Sequence, residues 1–343
     1  MSGAPNEIVT RALDALASGQ DLSSEETASV LAEIMQGEVS NVQIAGFLIA
    51  LRTKGETVEE LTGLAQTMRA FALPVRVARD DLVDTAGTGG GRSTFNVSTT
   101  AALIAAAAGC AVAKHGNRSA TSRSGSADLL EALGARIDLA PEEVAHCIEE
   151  VGFGFMFAPG HHLATRHVVP VRVELAVRTI FNFLGPLTNP AGARRQLVGV
   201  ADPAYLETIA GALARLGVDR ALVVSSEDGL DEIATSAPTR ILEVNGEQID
   251  EYSVTPAELG VEAVALDAVA GGDPAHNAAI TRSVLAGERG PARDLALVNA
   301  GATIYAAGRA ENLRHGVEQA RDALDGGRGE ATLAAFVVAT RAA

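Results

Sequence analysis

After Pro74, short apolar runs alternate with stretches of helical pattern, and this alternation restricts the fold more than any other feature of the sequence. The apolar runs predict strands at 82–83, 111–113, 153–157, 197–200, 221–224 and 241–244. Helices are predicted from Ser98 and over 127–133, 141–151 and 204–216, with a helical interruption at 175–184. Because strands that alternate with helices form parallel sheets covered on both faces, we expect a mostly parallel sheet.

Residues 1–73 have a different pattern, that of consecutive helices. Three helix starts carry capping-box pairs, which are Ser23 with Glu26, Ser40 with Gln43, and Thr57 with Glu60. The segment 42–51 is apolar nearly all round, so its helix is expected to be buried on several sides, in a subunit interface or against its own chain. The sequence therefore predicts the α/β class, with a small all-helical N-terminal domain and a larger α/β domain whose mostly parallel central sheet is flanked by helices.

The charge balance excludes some functions. The chain's 343 residues carry a formal net charge of −16 at pH 7, and aromatic residues make up 3%. Such a chain is repelled by phosphodiester backbones and anionic lipid, so we expect neither nucleic-acid nor membrane binding. The longest apolar run, 101–113, is too short as a helix to cross a bilayer. Two cysteines and no signal-peptide pattern predict a cytoplasmic protein.

A glycine-rich segment, GTGGGRST at 87–94, directly follows the first predicted strand. Glycines let a backbone turn sharply and aim N–H groups at an anion, although such a segment is also typical of an ordinary turn. It is not a Walker A loop, which needs Gly and Lys where Ala86 and Arg92 stand, nor a dinucleotide fingerprint. Asn96 and Ser98 then open a helix, whose N-terminus favours anions in addition to simple N-capping.

Two further segments follow predicted strands. The KHGNR motif at 114–118 lies where open α/β sheets bind ligands. Residues 85–127 contain no Asp or Glu, whereas about five would be expected, and we interpret this as room for a multiply charged anion, although a buried alanine-rich helix explains part of it. Acids return as EDGLDE at 227–232, which is typical of a solvated turn and also fits a Mg²⁺ site beside a phosphate loop. The cations of the acid-free window are Arg92, Lys114, Arg118 and Arg123.

Taken in order, these motifs resemble the anthranilate phosphoribosyltransferase family over essentially the whole chain. They are GTGG at 87–90, NVST at 96–99, KHGNR at 114–118, SGSADLLEALG at 124–134, GFGFMFAP at 152–159, PVRVEL at 170–175, RTIFNFLGPLTNPA at 178–191 and DGLDE at 228–232. The resemblance implies transfer of a phosphoribosyl group from phosphoribosyl pyrophosphate to anthranilate with Mg²⁺, in tryptophan biosynthesis. It also implies a homodimer, formed through the helical domain.

The resemblance implies a division of the chain and a set of site residues. The helical domain would be 1–73, joined by the segment near 170–185, and the α/β domain would be 74–169 with 186–343, the site lying at the hinge. The implied substrate-binding residues are Gly87, Gly90, Gly91, Arg92, Thr94, Asn96, Ser98, Thr99, Lys114, His115, Gly116, Asn117, Ser122, Ser126, His162 and Arg172. Catalytic roles fall on Lys114, Asn117 and Arg172, and Mg²⁺ ligation on Ser98, Asp231 and Glu232.

Arg172 suits a benzoate carboxylate, because an arginine fork can bind it with two hydrogen bonds. Without the family match, a surface arginine paired with Glu174, and structural histidines at 161 and 162, would be the simpler interpretation. The chain departs from the family after GTGG, where Asp is usual and Gly91, Arg92 and Ser93 stand here. We hypothesise that Arg92 supplies affinity for pyrophosphate.

Two alternatives differ in chemistry. A pyrimidine nucleoside phosphorylase would share the fold and glycine loop but use free phosphate, and a non-catalytic relative of the fold would bind nucleic acid. The KHGNR and DGLDE motifs argue against the first, and the net charge against the second. Since the anthranilate amine is already a neutral nucleophile, we expect no covalent intermediate and no catalytic cysteine.

Overall fold

The computed structural model describes residues 4–119 and 123–342, and its centre is a seven-stranded sheet. The strands are β1 Leu82–Gly87, β2 Ala111–Gly116, β3 Phe153–Phe157, β4 Arg195–Gly199, β5 Arg220–Ser226, β6 Thr239–Asn245 and β7 Gln248–Val254. Their spatial order is β3-β2-β1-β4-β5-β6-β7, in which the first five strands are parallel and β6 and β7 are antiparallel to their neighbours. The predicted mostly parallel sheet is confirmed.

Helices cover both faces of the sheet. The described helices are α1 Glu7–Ala17, α2 Ser24–Gln36, α3 Asn41–Lys54, α4 Val58–Phe71, α5 Val97–Ala107, α6 Ser126–Leu133, α7 Pro141–Val151, α8 Ala158–His161, α9 Val169–Leu175, α10 Phe181–Leu187, α11 Leu206–Arg215, α12 Pro274–Leu285, α13 Pro291–Ala306, α14 Leu313–Asp325 and α15 Arg328–Ala342. Short 3₁₀ helices lie at Leu163–His167, Pro203–Tyr205 and Leu266–Val269. Successive residues of β5 enter different cores: Leu222 and Val224 lie in the core on the α13 side of the sheet, whereas Ala221 and Val223 lie in the core on the α11 side.

Helices α2, α3 and α4 begin where the three predicted capping residues place them. Ser23 and Thr57 form both halves of their capping boxes. At α3 only half forms, because Ser40 accepts from the N–H of Gln43 while the Gln43 side chain exchanges two hydrogen bonds with the backbone of Asn6. The helix starts thus follow local sequence, and the Gln43 side chain instead ties α3 to the start of α1.

The N-terminal helices share one continuous apolar core with α9, α10, α11 and one face of β4, β5 and β6. The expected burial of α3 on several sides holds for Ile44, Phe47 and Leu48. Val42, however, is 82% exposed, and α9, which packs against α3, leaves Val173 73% exposed. The helical unit, by which we mean α1 to α4 with the adjoining α9, therefore has an apolar surface that its own chain does not cover.

Two predictions were wrong in detail. The segment 175–184 is not one helical stretch, because α9 ends at Leu175, the next residue Ala176 adopts a left-handed backbone with φ of 51°, and α10 begins at Phe181. The strand β7 was not predicted, because its QIDEYSV sequence is largely exposed and lacks the apolar run that marked the other strands. Long polar edge strands carry a weak sequence signal.

Candidate active site

The predicted functional segments converge at one edge of the sheet. Strands β1, β2 and β5 are parallel, so their carboxyl ends lie at the same edge. The segment 87–94 follows β1 and leads into α5, KHGNR ends β2, and the acidic segment 227–232 follows β5. This edge therefore brings together the glycine loop, a helix N-terminus, a lysine and the acid cluster.

The glycine loop, residues 87–94, closes around Asp231. The N–H of Gly89 donates to Asp231 Oδ2 at 3.0 Å. A Cβ atom added to Gly87 would lie 2.7 Å from Asp231 Oδ2, and one added to Gly91 would lie 2.8 Å from Oδ1. Gly89 and Gly90 have φ of 64° and 83°, a region that favours glycine. The loop therefore needs glycine both for its turn and for its contact with the carboxylate.

Asp231 and Glu232 form a pair of carboxylates with perturbed ionisation. Burial raises the pKa of Asp231, although the N–H of Gly89 opposes the rise. Burial and the neighbouring charge of Asp231 raise the pKa of Glu232 to about 8, against the opposing charge of Lys114. Neither carboxylate forms an ion pair within the described ranges. A bound cation would favour the ionised form of both.

The donor set around these carboxylates suits magnesium. No group of three or more His, Cys, Asp or Glu side chains that could hold a metal occurs among the described residues. Two carboxylates with the nearby Ser98 hydroxyl leave most of an octahedral shell to water and substrate phosphate oxygens, which is the arrangement Mg²⁺ prefers. The residues present therefore fit a magnesium ion shared with a phosphorylated substrate.

Lys114 lies buried between β1 and α5. Its Nζ donates to the carbonyl of Thr85 at 2.5 Å and to Ser98 Oγ at 3.4 Å. Burial lowers the pKa of Lys114, while the charges of Asp84 and Glu232 oppose this. Beneath it, Asp84 accepts from the N–H of His115 at 3.2 Å, and burial raises the pKa of the Asp84 carboxyl. A buried lysine of this kind is held at a fixed position relative to the loop.

The start of α5 differs from the predicted N-cap. Asn96 stands at the N-cap position, but its side chain makes no capping bond. It accepts from Ser124 Oγ at 3.0 Å and from Asn277 Nδ2 of α12 at 2.8 Å, so it contacts both the segment before α6 and helix α12. The first turn of α5 carries no acidic residue, which leaves its N–H groups favourable to an anion. Thr99 Oγ1 is buried without a hydrogen-bond partner in the described ranges.

The serine loop, defined as 117–126 and described at 117–119 and 123–126, is held by local contacts. Ser126 Oγ donates to the carbonyl of Asn117 at 3.1 Å. A Cβ on Gly116 would lie 2.3 Å from Ser126 Oγ, so glycine is required there too. Arg118, one of the four cations of the acid-free window, pairs with Asp128 and Glu131 just beyond that window. Ser122 lies outside the described residues.

Three further predicted site residues are His115 near the end of β2, His162 directly after α8, and Arg172 on α9. The rings of His115 and His162 are 5.0 Å apart, and His115 Nδ1 lies 3.0 Å from the carbonyl of Gly185. Burial lowers the pKa of His115 to about 3 and that of His162 to about 4, so both are neutral. The Arg172 guanidinium lies over the ring of Phe181, and this side chain has no hydrogen bond or ion pair in the part of the chain described. The alternative of a pair with Glu174 is therefore wrong.

Comparisons with known proteins agree with this geometry. Residues 10–72 match the glycosyl transferase family, helical bundle domain, and residues 79–330 match the glycosyl transferase family, a/b domain. An anthranilate phosphoribosyltransferase of Rubrobacter xylanophilus is 52% identical over 336 residues, which cover 97% of this chain and 98% of the relative.

Two solved structures extend the match. The anthranilate phosphoribosyltransferase of Thermus thermophilus superposes with a TM-score of 0.91 at 48% identity, over 96% of this chain and 99% of that one. The Saccharomyces cerevisiae enzyme, in complex with phosphoribosyl pyrophosphate and Mg, has a TM-score of 0.89 at 26% identity, over 98% of each chain. The chain belongs to the anthranilate phosphoribosyltransferase family. The phosphorylase and nucleic-acid-binding alternatives are thereby not favoured.

Three residues near the site were not predicted from the sequence. Asp84 and Asn189 form a buried pair behind Lys114, with Asn189 Nδ2 donating to Asp84 Oδ2 at 2.8 Å. Arg178 reaches the glycine loop from the segment between α9 and α10. The signals were present, since Asp84 is a carboxylate inside an apolar strand and both other residues lie in the RTIFNFLGPLTNPA motif.

Other features of the described chain bear on the chemistry. Cys110 and Cys147 are free and buried, and burial raises their pKa values to about 12 and about 11, so neither is a ready thiolate nucleophile. His161 is occupied by a backbone contact, with Nδ1 3.3 Å from the carbonyl of Leu73. No helix among residues 4–119 and 123–342 is long and apolar enough to cross a membrane.

Proposed function

We propose that this chain transfers the phosphoribosyl group of phosphoribosyl pyrophosphate to the amine of anthranilate, releasing pyrophosphate, in tryptophan biosynthesis. The observation that carries the proposal is the convergence at one sheet edge of the glycine loop on Asp231 and of Lys114 on Ser98. The glycine loop supplies N–H groups for phosphate. Lys114 supplies a cation, and the acidic segment after β5 supplies carboxylates. Family membership supplies the reaction that this arrangement serves.

The donor site is proposed to lie between the glycine loop and the start of α5. Its N–H groups, hydroxyls and amides suit a pyrophosphate and a ribose, because they donate to anionic oxygens without adding negative charge. The proposed donor residues are Gly87, Gly90, Gly91, Arg92, Thr94, Asn96, Ser98, Thr99, Lys114, Gly116, Asn117, Ser122 and Ser126.

The acceptor site is proposed to lie beside Arg172, His115, His162 and Asn117. The guanidinium of Arg172 is half-buried, and burial lowers its pKa because no carboxylate of the described chain offsets the lost hydration. The carboxylate of anthranilate would supply that missing partner through a charge-assisted bond. The neutral imidazoles add a flat, uncharged wall suited to an aromatic ring.

The chemistry needs positioned charge more than acid–base groups. The acceptor amine is neutral at pH 7, so the difficult step is departure of pyrophosphate from C1 of the ribose. Asp231, Glu232 and Ser98 would hold Mg²⁺, which when bound supplies positive charge to the pyrophosphate oxygens. Lys114 and the loop N–H groups stabilise the negative charge on the leaving group, and Arg172 and Asn117 orient the acceptor.

The proposed domain division is 1–73 joined by the segment near 170–185, against 74–169 with 186–343. Support comes from α9, which packs on α3, and from Val171 and the preceding Val168, which lie in the same apolar core as the N-terminal helices. The site then lies where the two units meet.

The proposed partner is a second copy of this chain, seated on the exposed face of α3 and α9. That face carries Val42, Ile49, Val169 and Val173, and apolar patches of this kind mark interfaces. Light scattering on wild type should give the dimer mass, and Val42→Glu with Val173→Glu should give the monomer. The matched control is Val338→Glu on α15, which is 66% exposed. A dimer unchanged by the first pair would contradict this interface.

The reaction is tested by following anthranilate fluorescence. We expect the fluorescence to fall only when phosphoribosyl pyrophosphate and Mg²⁺ are both present, with one pyrophosphate released for each anthranilate consumed. Omitting the donor is the control. No fall with the complete mixture, together with turnover of thymidine and phosphate, would instead favour the phosphorylase.

A further inference from the structure

We propose that Arg178 is a positioning residue for the phosphoribosyl donor, holding two peptide groups of the glycine loop so that the Gly90 N–H faces the pyrophosphate. The inference rests on the proposed function. It assigns a role to a residue that is not part of the glycine loop itself. Arg178 lies in the segment between α9 and α10, far along the chain from the loop that it contacts.

The guanidinium of Arg178 binds the loop as a fork. Its Nη1 donates to the carbonyl of Gly89 at 2.6 Å, and its Nη2 donates to the carbonyl of Thr88 at 3.2 Å. A Cβ on Gly90 would lie only 1.5 Å from Arg178 Nη1, so the close approach requires glycine at that position. A planar fork with two donors fixes both carbonyls at once, which a lysine ammonium does less well.

These contacts determine where the loop N–H groups point. In a trans peptide, the C=O and the following N–H point in opposite directions. The Thr88–Gly89 peptide is held at both ends, its carbonyl by Arg178 and its N–H by Asp231. The Gly89–Gly90 peptide is held only at its carbonyl, and within the described residues the Gly90 N–H has no hydrogen-bond partner. Arg178 therefore turns that free N–H away from itself, as an anion-binding group requires.

Arg178 is itself held from the helical unit. Its backbone carbonyl accepts from Arg52 Nη1 of α3 at 2.7 Å. The Arg178 side chain has no ion pair with a carboxylate in the part of the chain described, so its donors serve the two loop carbonyls. The loop conformation thus depends on a residue anchored to the helical unit.

The test compares Arg178→Met with the control Arg195→Met. Methionine keeps an unbranched stem but removes the fork. The control removes another half-buried arginine that donates to a backbone carbonyl, that of Ala307 at 3.1 Å, from the amino end of β4. We measure donor affinity by calorimetry with Mg²⁺, and KM for both substrates by anthranilate fluorescence.

For Arg178→Met we expect donor Kd and KM to rise about 10- to 100-fold, with anthranilate KM within about twofold of wild type. Guanidinium ion, added well below denaturing concentrations, should restore part of the donor affinity to this variant and not alter the control. A merely structural role would lower the unfolding temperature and affect both substrates alike, without rescue.

Wild-type turnover in the same assay separates the two proposals. If wild type does not consume anthranilate, the proposed function fails. If wild type turns over and Arg178→Met keeps its donor Kd within about twofold, the positioning role is overturned. Should Arg178→Met show no cooperative unfolding, Arg178→Lys, which keeps the charge and loses the fork, is measured instead. A donor Kd equal to that of wild type in Arg178→Lys would overturn the proposal as well.

Discussion

The glycine loop and the serine loop end neighbouring strands, but the chain holds them in different ways. The serine loop is fixed from nearer in the chain: Arg118, Gly125 and Ser126 bond to residues at most thirteen positions away, and Ser124 bonds to Asn96, which is 28 positions away. The glycine loop is fixed from afar, by Arg178 and by Asp231, which is 142 positions from Gly89. A local turn can be predicted from local sequence, whereas a loop held by distant residues cannot.

The difference also separates stability from function. Residues that hold the serine loop pair opposite charges, which adds stability. The glycine loop is held in part by Asp231, whose carboxylate forms no ion pair in the described chain and whose pKa is raised by burial, which costs stability and leaves charge available to a ligand. Substitutions at the serine loop should therefore mainly change stability, whereas substitutions at the glycine loop should mainly change substrate binding or turnover.

The largest effect is expected at the acid pair. Asp231→Asn with Glu232→Gln should lower turnover at saturating Mg²⁺ by about 1,000-fold or more, because it removes both proposed carboxylate ligands of the metal. The unfolding temperature should not fall, since carboxylates whose pKa is raised by burial are more stable uncharged. Glu227→Gln, an exposed acid of the same segment, is the control. A variant that loses its cooperative unfolding would show that the pair is structural instead.

Arg172 provides a second test, because it lies on the segment that also carries Arg178. Arg172→Ala should raise anthranilate KM about 10- to 100-fold and leave donor KM within about twofold. Steady-state kinetics with each substrate varied in turn measures both constants. Arg166→Ala, from the preceding 3₁₀ turn, should change neither. Equal rises for both substrates would show that Arg172 supports the fold.

Arg92 is the exposed cation of the glycine loop, with its backbone N–H donating to the carbonyl of Gly229 at 3.2 Å. Arg92→Ala should raise donor KM about three- to tenfold, and the difference should shrink at high salt because exposed charges are screened. Arg123→Ala, on the serine loop, is the matched comparison. An unchanged donor KM in Arg92→Ala ends the hypothesis that Arg92 adds affinity.

The smallest effect is expected at Asp128. Burial alone would raise the pKa of its carboxyl, but the N–H of Gly125 and the guanidinium of Arg118 outweigh it and hold that pKa below its usual value. The resulting stability is present at neutral pH and is lost as the pH falls through the folded-state pKa. Asp128→Asn should cost about 1 kcal/mol at pH 7 and less in acid, by denaturant titration. An equal loss at both pH values would contradict the charge pairing.

The sequence predicted most elements because their signals are local. The five parallel strands and the helices α5, α6 and α7 were visible as apolar runs and capping residues. The polar β7 and the break at Ala176 were not, because exposed edge pairing and a left-handed alanine leave little pattern. In the site, the motifs located the loops but not their partners. That Gly87 makes room for Asp231, or Gly90 for Arg178, follows only from the folded chain.

The left-handed turn at Ala176 has a practical consequence. It joins α9, which carries Arg172, to the stretch that carries Arg178, so one short peptide connects the proposed acceptor site to the glycine loop of the proposed donor site. An engineer who wants a bulkier aromatic amine accepted can reshape the side chains around Arg172. Inserting or deleting a residue across this bend, by contrast, would pull the second guanidinium off its carbonyls. Library designs should therefore vary composition here and leave length constant.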